Sequence, residues 1–216
     1  MPDLSFAVET AESVRFAAVP TLAFRLRVEN APPDEEIHTV VLRGQIQIEV
    51  TRRRYTAQEQ QRLHDLFDGV ERWGQTLRNL HWTNANVVTG PFAGRTIVEM
   101  QVPCTFDFNV ATTKYFQGLA DGELPLCLMF SGTIFYTDPS GALQVSPISW
   151  SKEARFGLPL RVWKEMMEAH YPNSAWLCLR RDIVDRLGTY KSDRGAMSWE
   201  QALEYALDAA EGVVHK

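Results

Sequence analysis

Apolar side chains recur at every second position through much of the first 150 residues. Leu4, Phe6 and Val8 share one parity, and Leu22, Phe24, Leu26 and Val28 repeat the pattern. Ser5, Glu9, Arg25, Arg27 and Glu29 fall between them. Such alternation gives a strand one dry face and one wet face, as in an antiparallel sheet covered on one side. Ala31-Pro-Pro-Asp34 then turns the chain. Val40, Leu42, Ile46, Ile48 and Val50 point one way, against Arg43, Gln45, Gln47, Glu49 and Thr51. Gly44 stands where an inward side chain would continue that series, which marks a bulge or a close crossing of backbones. After Thr96 a third run, Val98, Met100, Val102, Cys104, Phe106 and Phe108, holds one parity. Residues 124–136 are apolar on both parities, which predicts a central strand buried on two sides. Asp138-Pro-Ser-Gly141 reads as a hairpin turn, and 143–148 as the returning strand.

Helical periods interrupt this pattern. Thr56-Ala-Gln-Glu59 reads as a capping box, opening a helix with Leu63, Leu66, Phe67 and Val70 on one face that ends near Trp73-Gly74. From 75 to 94 the period weakens, and Asn84, Asn86, Gly90, Pro91 and Gly94 predict a long irregular connection with room for one short strand. Loops of that length are often functional. A short helix fits 111–119. After Trp150 the period becomes helical: Pro159 suits a first turn, and Leu160, Trp163, Met166, Met167 and His170 form a stripe that Tyr171-Pro-Asn173 ends. Residues 175–180 fit either a last strand or a helical start. Asp182 is placed to cap a helix buried through Ile183, Leu187 and Tyr190. Ser198-Trp-Glu-Gln201 is a second capping box, and its helix is expected to bury Trp199, Leu203, Ala206, Leu207 and Ala210. The expected fold class is α+β: an antiparallel β-sheet or sandwich with packed helices and a helical C-terminal segment. Residues 1–150 form the β-rich domain, with its inserted helix near 57–72; 151–216 form a helical segment packed on the sheet, within one structural unit.

Charge and length narrow the partners. A chain of 216 residues with 45% hydrophobic residues sustains a core without staples. Its net charge of −5 supplies no basic field for nucleic acid or anionic lipid. Cys104, Cys127 and Cys178 are odd in number and lie in apolar stretches, which fits buried thiols in a reducing compartment. The start, Met-Pro-Asp-Leu-Ser, lacks a basic region before an apolar run, and no apolar stretch spans a bilayer. A cytoplasmic protein without a membrane span is expected.

The motifs of well-known catalysts are missing. The sequence has no G-x-G-x-x-G, P-loop, H-E-x-x-H, G-x-S-x-G or C-x-x-C. His38, His64, His81, His170 and His215 are scattered, with no pair spaced i, i+4 to share a metal. No metal or cofactor is expected, and the chain reads as a non-enzyme. Arg52-Arg53-Arg54 reads as a solvated edge rather than an anion site. The densest aromatic and basic segment runs from Trp150 to Trp176. Trp150, Lys152, Arg155, Phe156, Arg161, Trp163 and Tyr171 are its candidate partner-binding residues, because Trp, Tyr and Arg anchor interfaces. The same side chains also fill the gap between a helix and a sheet, and that plainer reading stands beside the first. The alternative function is a small-molecule-binding protein or an enzyme with an unfamiliar site. It would use the 75–94 connection with His81, Trp82 and His170. Base rates for soluble proteins add a homodimer to the expectations.

Phe130-Ser-Gly-Thr-Ile-Phe-Tyr136, then 145–154 through Trp163 and His170-Tyr-Pro172, resembles a bacterial family of unassigned function encoded beside high-affinity uptake nickel–iron hydrogenases. The resemblance covers most of the chain. It implies an accessory or assembly role beside a hydrogenase or its maturation machinery, and it transfers no catalytic residue. The strand-rich order and acidic charge also carry a faint likeness, at the level of fold alone, to SecB-type export chaperones.

Overall fold

The computed structural model describes residues 1–106, 110–175, 177 and 179–212. Nine strands among them form two antiparallel sheets. β1 (Asp3–Ser13), β2 (Thr21–Ala31) and a later strand make a three-stranded sheet. β3 (Glu36–Ile48) opens the six-stranded one. Short helical turns follow: α1 (Ala57–Arg62), α2 (His64–Phe67) and α3 (Trp73–Thr76). Next come β4 (Leu80–Val88), β5 (Phe92–Ala93) and β6 (Arg95–Pro103), the third member of the first sheet. α4 (Val110–Gly118) leads into β7 (Glu123–Thr137), β8 (Leu143–Pro147), β9 (Glu153–Pro159) and α5 (Leu160–His170). The six-stranded sheet runs β4-β3-β7-β8, with β5 on β3 and β9 on β7.

Parity puts the core between the sheets. Leu22, Phe24, Leu26 and Val28 of β2 are buried, as are Val40, Leu42, Ile46 and Ile48 of β3. Phe6 stacks on Phe130 at 4.4 Å, and Phe24 meets Trp82 and Phe156 edge-on at 6.2 Å each. These pairs join β1 to β7 and β2 to β4 and β9, so the two dry faces oppose each other as in a sandwich. β4 also runs beside β6, and β1 beside β9. Gly44 marks a close approach, though by a side chain from the facing sheet: a Cβ there would lie 3.0 Å from the Met100 terminal methyl. In the third parity run Met100, Val102, Cys104 and Phe106 are buried and Val98 packs against the core. Phe108 lies outside the described residues, as do Trp176, Cys178 and His215.

Several expectations are corrected. The 75–94 segment is no irregular connection, because nine of its residues form β4 on the β3 edge. Ile46 pairs with Thr83 and Gln47 with His81, so Trp82 is an extra residue bulged into the ladder. That bulge flips the parity midway and hides the alternation. β7 is central, but only Cys127 is buried on its second face; the burial expected on both sides is one-sided. The helix expected near 57–72 keeps its capping box, with Thr56 and Glu59 bonding reciprocally. It breaks at Leu63 and again at Asp68, whose φ is +64°, so Val70 points to solvent. Arg53 is not a solvated edge. It pairs with Glu59 at 2.8 Å, and both side chains are at most 10% exposed.

The boundary expected at 150 moves. Residues 153–159 form β9, paired with β7 from Glu123 to Met129, before the helix starts at Leu160. α5 lies against β1, β2 and β9. The chain divides into 1–174 and 175–216. The second unit holds α6 (Arg181–Asp193) and α7 (Trp199–Glu211), and the described residues from 175 to 180 form neither strand nor helix. α6 buries no residue fully, and of the five positions expected inward on α7, Trp199, Leu207 and Ala210 are exposed. Ser198 accepts from the Gln201 amide at 3.1 Å, while the Gln201 side chain caps the Met197 amide instead, one residue early.

Candidate functional site

Pro159, in extended backbone at the N-cap, fixes where β9 ends and α5 begins. Leu160, Trp163, Met166 and Met167 then bury one helical face. Trp163 packs edge-on against Phe116 of α4 at 5.0 Å, and Phe116 meets Trp82 in the same way at 5.2 Å. Lys164 donates to the carbonyls of Leu119 and Ala120 at 2.9 and 2.7 Å, so its cation closes the end of α4. Beyond α5, Tyr171 donates its amide to Met167 at 2.8 Å, and Asn173 donates its own to the Glu168 carboxylate at 3.0 Å. Tyr171 also packs on Phe106, 4.9 Å between ring centres.

These contacts leave a groove of about 830 Å³ along α5. Phe106, Trp163, Met167 and Tyr171 give it an apolar floor, and Gln117 and Glu165 stand among its polar lining. Lys164 is committed to α4, so Glu165 and Glu168 bring negative charge to the rim. An open, apolar concavity with an acidic rim suits a complementary apolar and basic surface.

The predicted partner-binding residues separate into three places. Trp163 and Tyr171 line the groove, and Arg161 is exposed on α5 without lining it. Trp150 is 91% exposed, in the turn between β8 and β9. Lys152, Arg155 and Phe156 are engaged within the fold. Lys152 pairs with Asp3 at 2.5 Å, Arg155 with Glu153 at 3.0 Å and Glu49 at 3.6 Å, and Phe156 packs on Phe24. The alternative set does not converge. His81 is exposed on β4 beside Asn84, at 3.3 Å. Trp82 is buried in the aromatic stack. His170 is held at the end of α5 against the carbonyls of Met166 and Ala17. Neither histidine lines the groove.

Phe106, Gln117 and Glu165 were not among the sequence candidates. Phe106 carried a signal, its inward parity after Cys104, but the groove depends on α5 crossing it, which parity does not encode. The described cysteines are poor nucleophiles: burial pushes the Cys104 thiol up to about 12, and burial with the nearby Glu153 raises Cys127. Among the described residues no three His, Cys, Asp or Glu side chains cluster as metal ligands, and no helix is long and apolar enough to cross a membrane.

The profile of a family of unknown function, DUF6084, matches residues 1–215. The chain belongs to the DUF6084 family. No curated protein and no solved structure matches it. The DUF6084 match runs through both units and so includes α6 and α7.

Proposed function

We propose that this protein is a non-catalytic protein-interaction or assembly factor that receives a partner in the groove along α5. The observation that carries the reading is the groove itself: an apolar floor of four large side chains in an acidic rim. The exposed Trp150 offers a separate anchor. The resemblance of 130–172 to a family encoded beside nickel–iron hydrogenases supports a hydrogenase or its maturation machinery as the partner, in a bacterial cytoplasm.

Isolating the tagged chain from its own cells under native conditions tests this. A stoichiometric hydrogenase subunit or maturation protein is expected to co-purify. Ala169 lines the groove yet is exposed, so Ala169→Arg fills the cleft without touching the core. That variant is expected to weaken the complex by ~10-fold or more, equivalent to about 1.4 kcal/mol, with its thermal melt unchanged. A chain that returns no stoichiometric partner, or a complex indifferent to Ala169→Arg, contradicts the proposal.

A further inference from the structure

β8 ends the path of the six-stranded sheet, and among the described residues no strand is hydrogen-bonded to its outer side. The backbone directions on that side follow from two bonds. Ile148 donates to the Gly132 carbonyl at 2.9 Å, and Ala142 accepts from the Asp138 amide at 3.0 Å. Successive residues of an antiparallel strand alternate sides, so the even positions of β8 face β7, and Leu143, Val145 and Pro147 present their backbone outward. Pro147 fits that placement, since proline is tolerated in a sheet where its missing N–H would face no neighbour. The outer edge therefore offers the amides of Leu143 and Val145 and the carbonyls of Leu143, Val145 and Pro147.

The outward side chains on the open face add apolar area beside this edge. Ser146 and Ile148 are buried, so Leu143 and Val145 point to the sheet's outer face, where they are 63% and 59% exposed. In register with them, Val145 adjoins Phe135, and Pro147, Thr133, Val41 and Val88 form the next row across four strands. Val41 and Val88 are also exposed. No charged residue occurs in β8 or in these two rows. Sheet edges open to solvent are commonly blunted by short length, proline, charge or a bulge; β8 is short and ends on Pro147, but it carries no charge and no bulge.

We propose that the outer edge of β8 is a homodimer interface, on which a second copy pairs β8 antiparallel about a two-fold axis at Val145. In that register Val145 of each protomer exchanges both backbone bonds with its partner, and each Leu143 amide donates to the partner's Pro147 carbonyl. All four outward amides are satisfied, and the Leu143 carbonyl, which faces the N–H-less Pro147 of the second copy, is the one acceptor per protomer that the pairing leaves to water. The choice of a second copy rests on charge. A two-fold interface sets each near-axis residue against itself or its neighbours, so a charge there meets its like. This chain carries −5 overall, yet Leu143-Gln-Val-Ser-Pro147 is neutral. The two apolar rows then run on from one protomer to the other. The interface is independent of the groove along α5, so either assignment can fail without the other.

Sedimentation equilibrium over a concentration series decides it. Wild-type protein is expected to reach twice the 24.6 kDa of one chain. Val145→Lys and Val145→Glu are each expected to sediment as monomers with unchanged melts, because the exposed side chain lies outside the core, and an equimolar mixture of the two is expected to form a heterodimer. Should either variant fold poorly, Leu143→Lys gives the same reading from the next outward position. Wild-type protein that stays monomeric throughout, or Val145 variants that dimerise alone as wild type does, overturns the proposal. A strand from a different protein binding to a monomeric wild type counts against it equally.

Discussion

Single positions in this protein answer to identifiable forces. Glu59 is 3% exposed and accepts from the Thr56 and Ala120 amides at 2.9 Å each, besides its 2.8 Å pair with Arg53. Burial pushes its carboxyl up, but the two amides and the guanidinium outweigh that and hold it below the ordinary carboxylate range. A carboxylate depressed in the folded state contributes stability above its unfolded pKa and loses it as pH falls through the folded one. Urea midpoints are therefore expected to drop below the ordinary carboxylate range, and Glu59→Gln to flatten that part of the profile. Glu59→Gln also leaves Arg53 nearly buried without a countercharge, a loss of about 3–5 kcal/mol; a loss under ~1 kcal/mol would show that Arg53 finds water instead. Gly132 sits at φ +145°, and a Cβ there would lie 2.0 Å from the Val41 carbonyl oxygen. Backbone, unlike the flexible tip of Met100 over Gly44, cannot swing aside. Gly132→Ala is expected to cost ~2 kcal/mol or more, read from the same unfolding curves, with Gly44→Ala much milder. Neither contrast was legible in the sequence. Gly44 advertised itself by interrupting a parity run, whereas Gly132 lies in a stretch apolar on both sides.

Elements were legible where one force dominated. The apolar parity of β2 is uninterrupted at the sheet interface and that of β3 breaks only at Gly44, and the Thr56–Glu59 box formed as its residues require. β4 was lost because the bulge at Trp82 moves its apolar positions onto the other parity. β9 was lost because Glu153–Pro159 is short and runs straight into a helix whose own period is strong. The stripe Leu160, Trp163, Met166 and Met167 foretold the buried face of α5 but not the groove on its flank, which needs Phe106 and Gln117 from other elements. The main hydrophobic cluster draws its members from residues 4 to 167, with Tyr171 packed against it. A chain ending at Ser174 is accordingly expected to keep its near-ultraviolet circular dichroism and a cooperative melt within a few degrees of the full chain. Loss of cooperativity on truncation would place part of that core's support in 175–216.

At the scale of the whole molecule, the two sheets bury their dry faces against each other and α4 and α5 carry the aromatic stack of Trp82, Phe116 and Trp163. The groove proposed as a binding site lies on the flank of α5, beside that stack. A resemblance to a family of unassigned function, carried by motifs in 130–172 and covering most of the chain, was visible in the sequence, and DUF6084, a family of unknown function, matches residues 1–215. Sequence alone did not locate the groove, because its residues come from three separated segments. Hydrogen–deuterium exchange of the co-purified complex against the free chain tests the binding reading most directly. Slowed exchange confined to α5 and the flanking residues 171–174, with Ala169→Arg abolishing it, is the predicted result. Protection that falls elsewhere, leaving α5 to exchange as in the free chain, would contradict it.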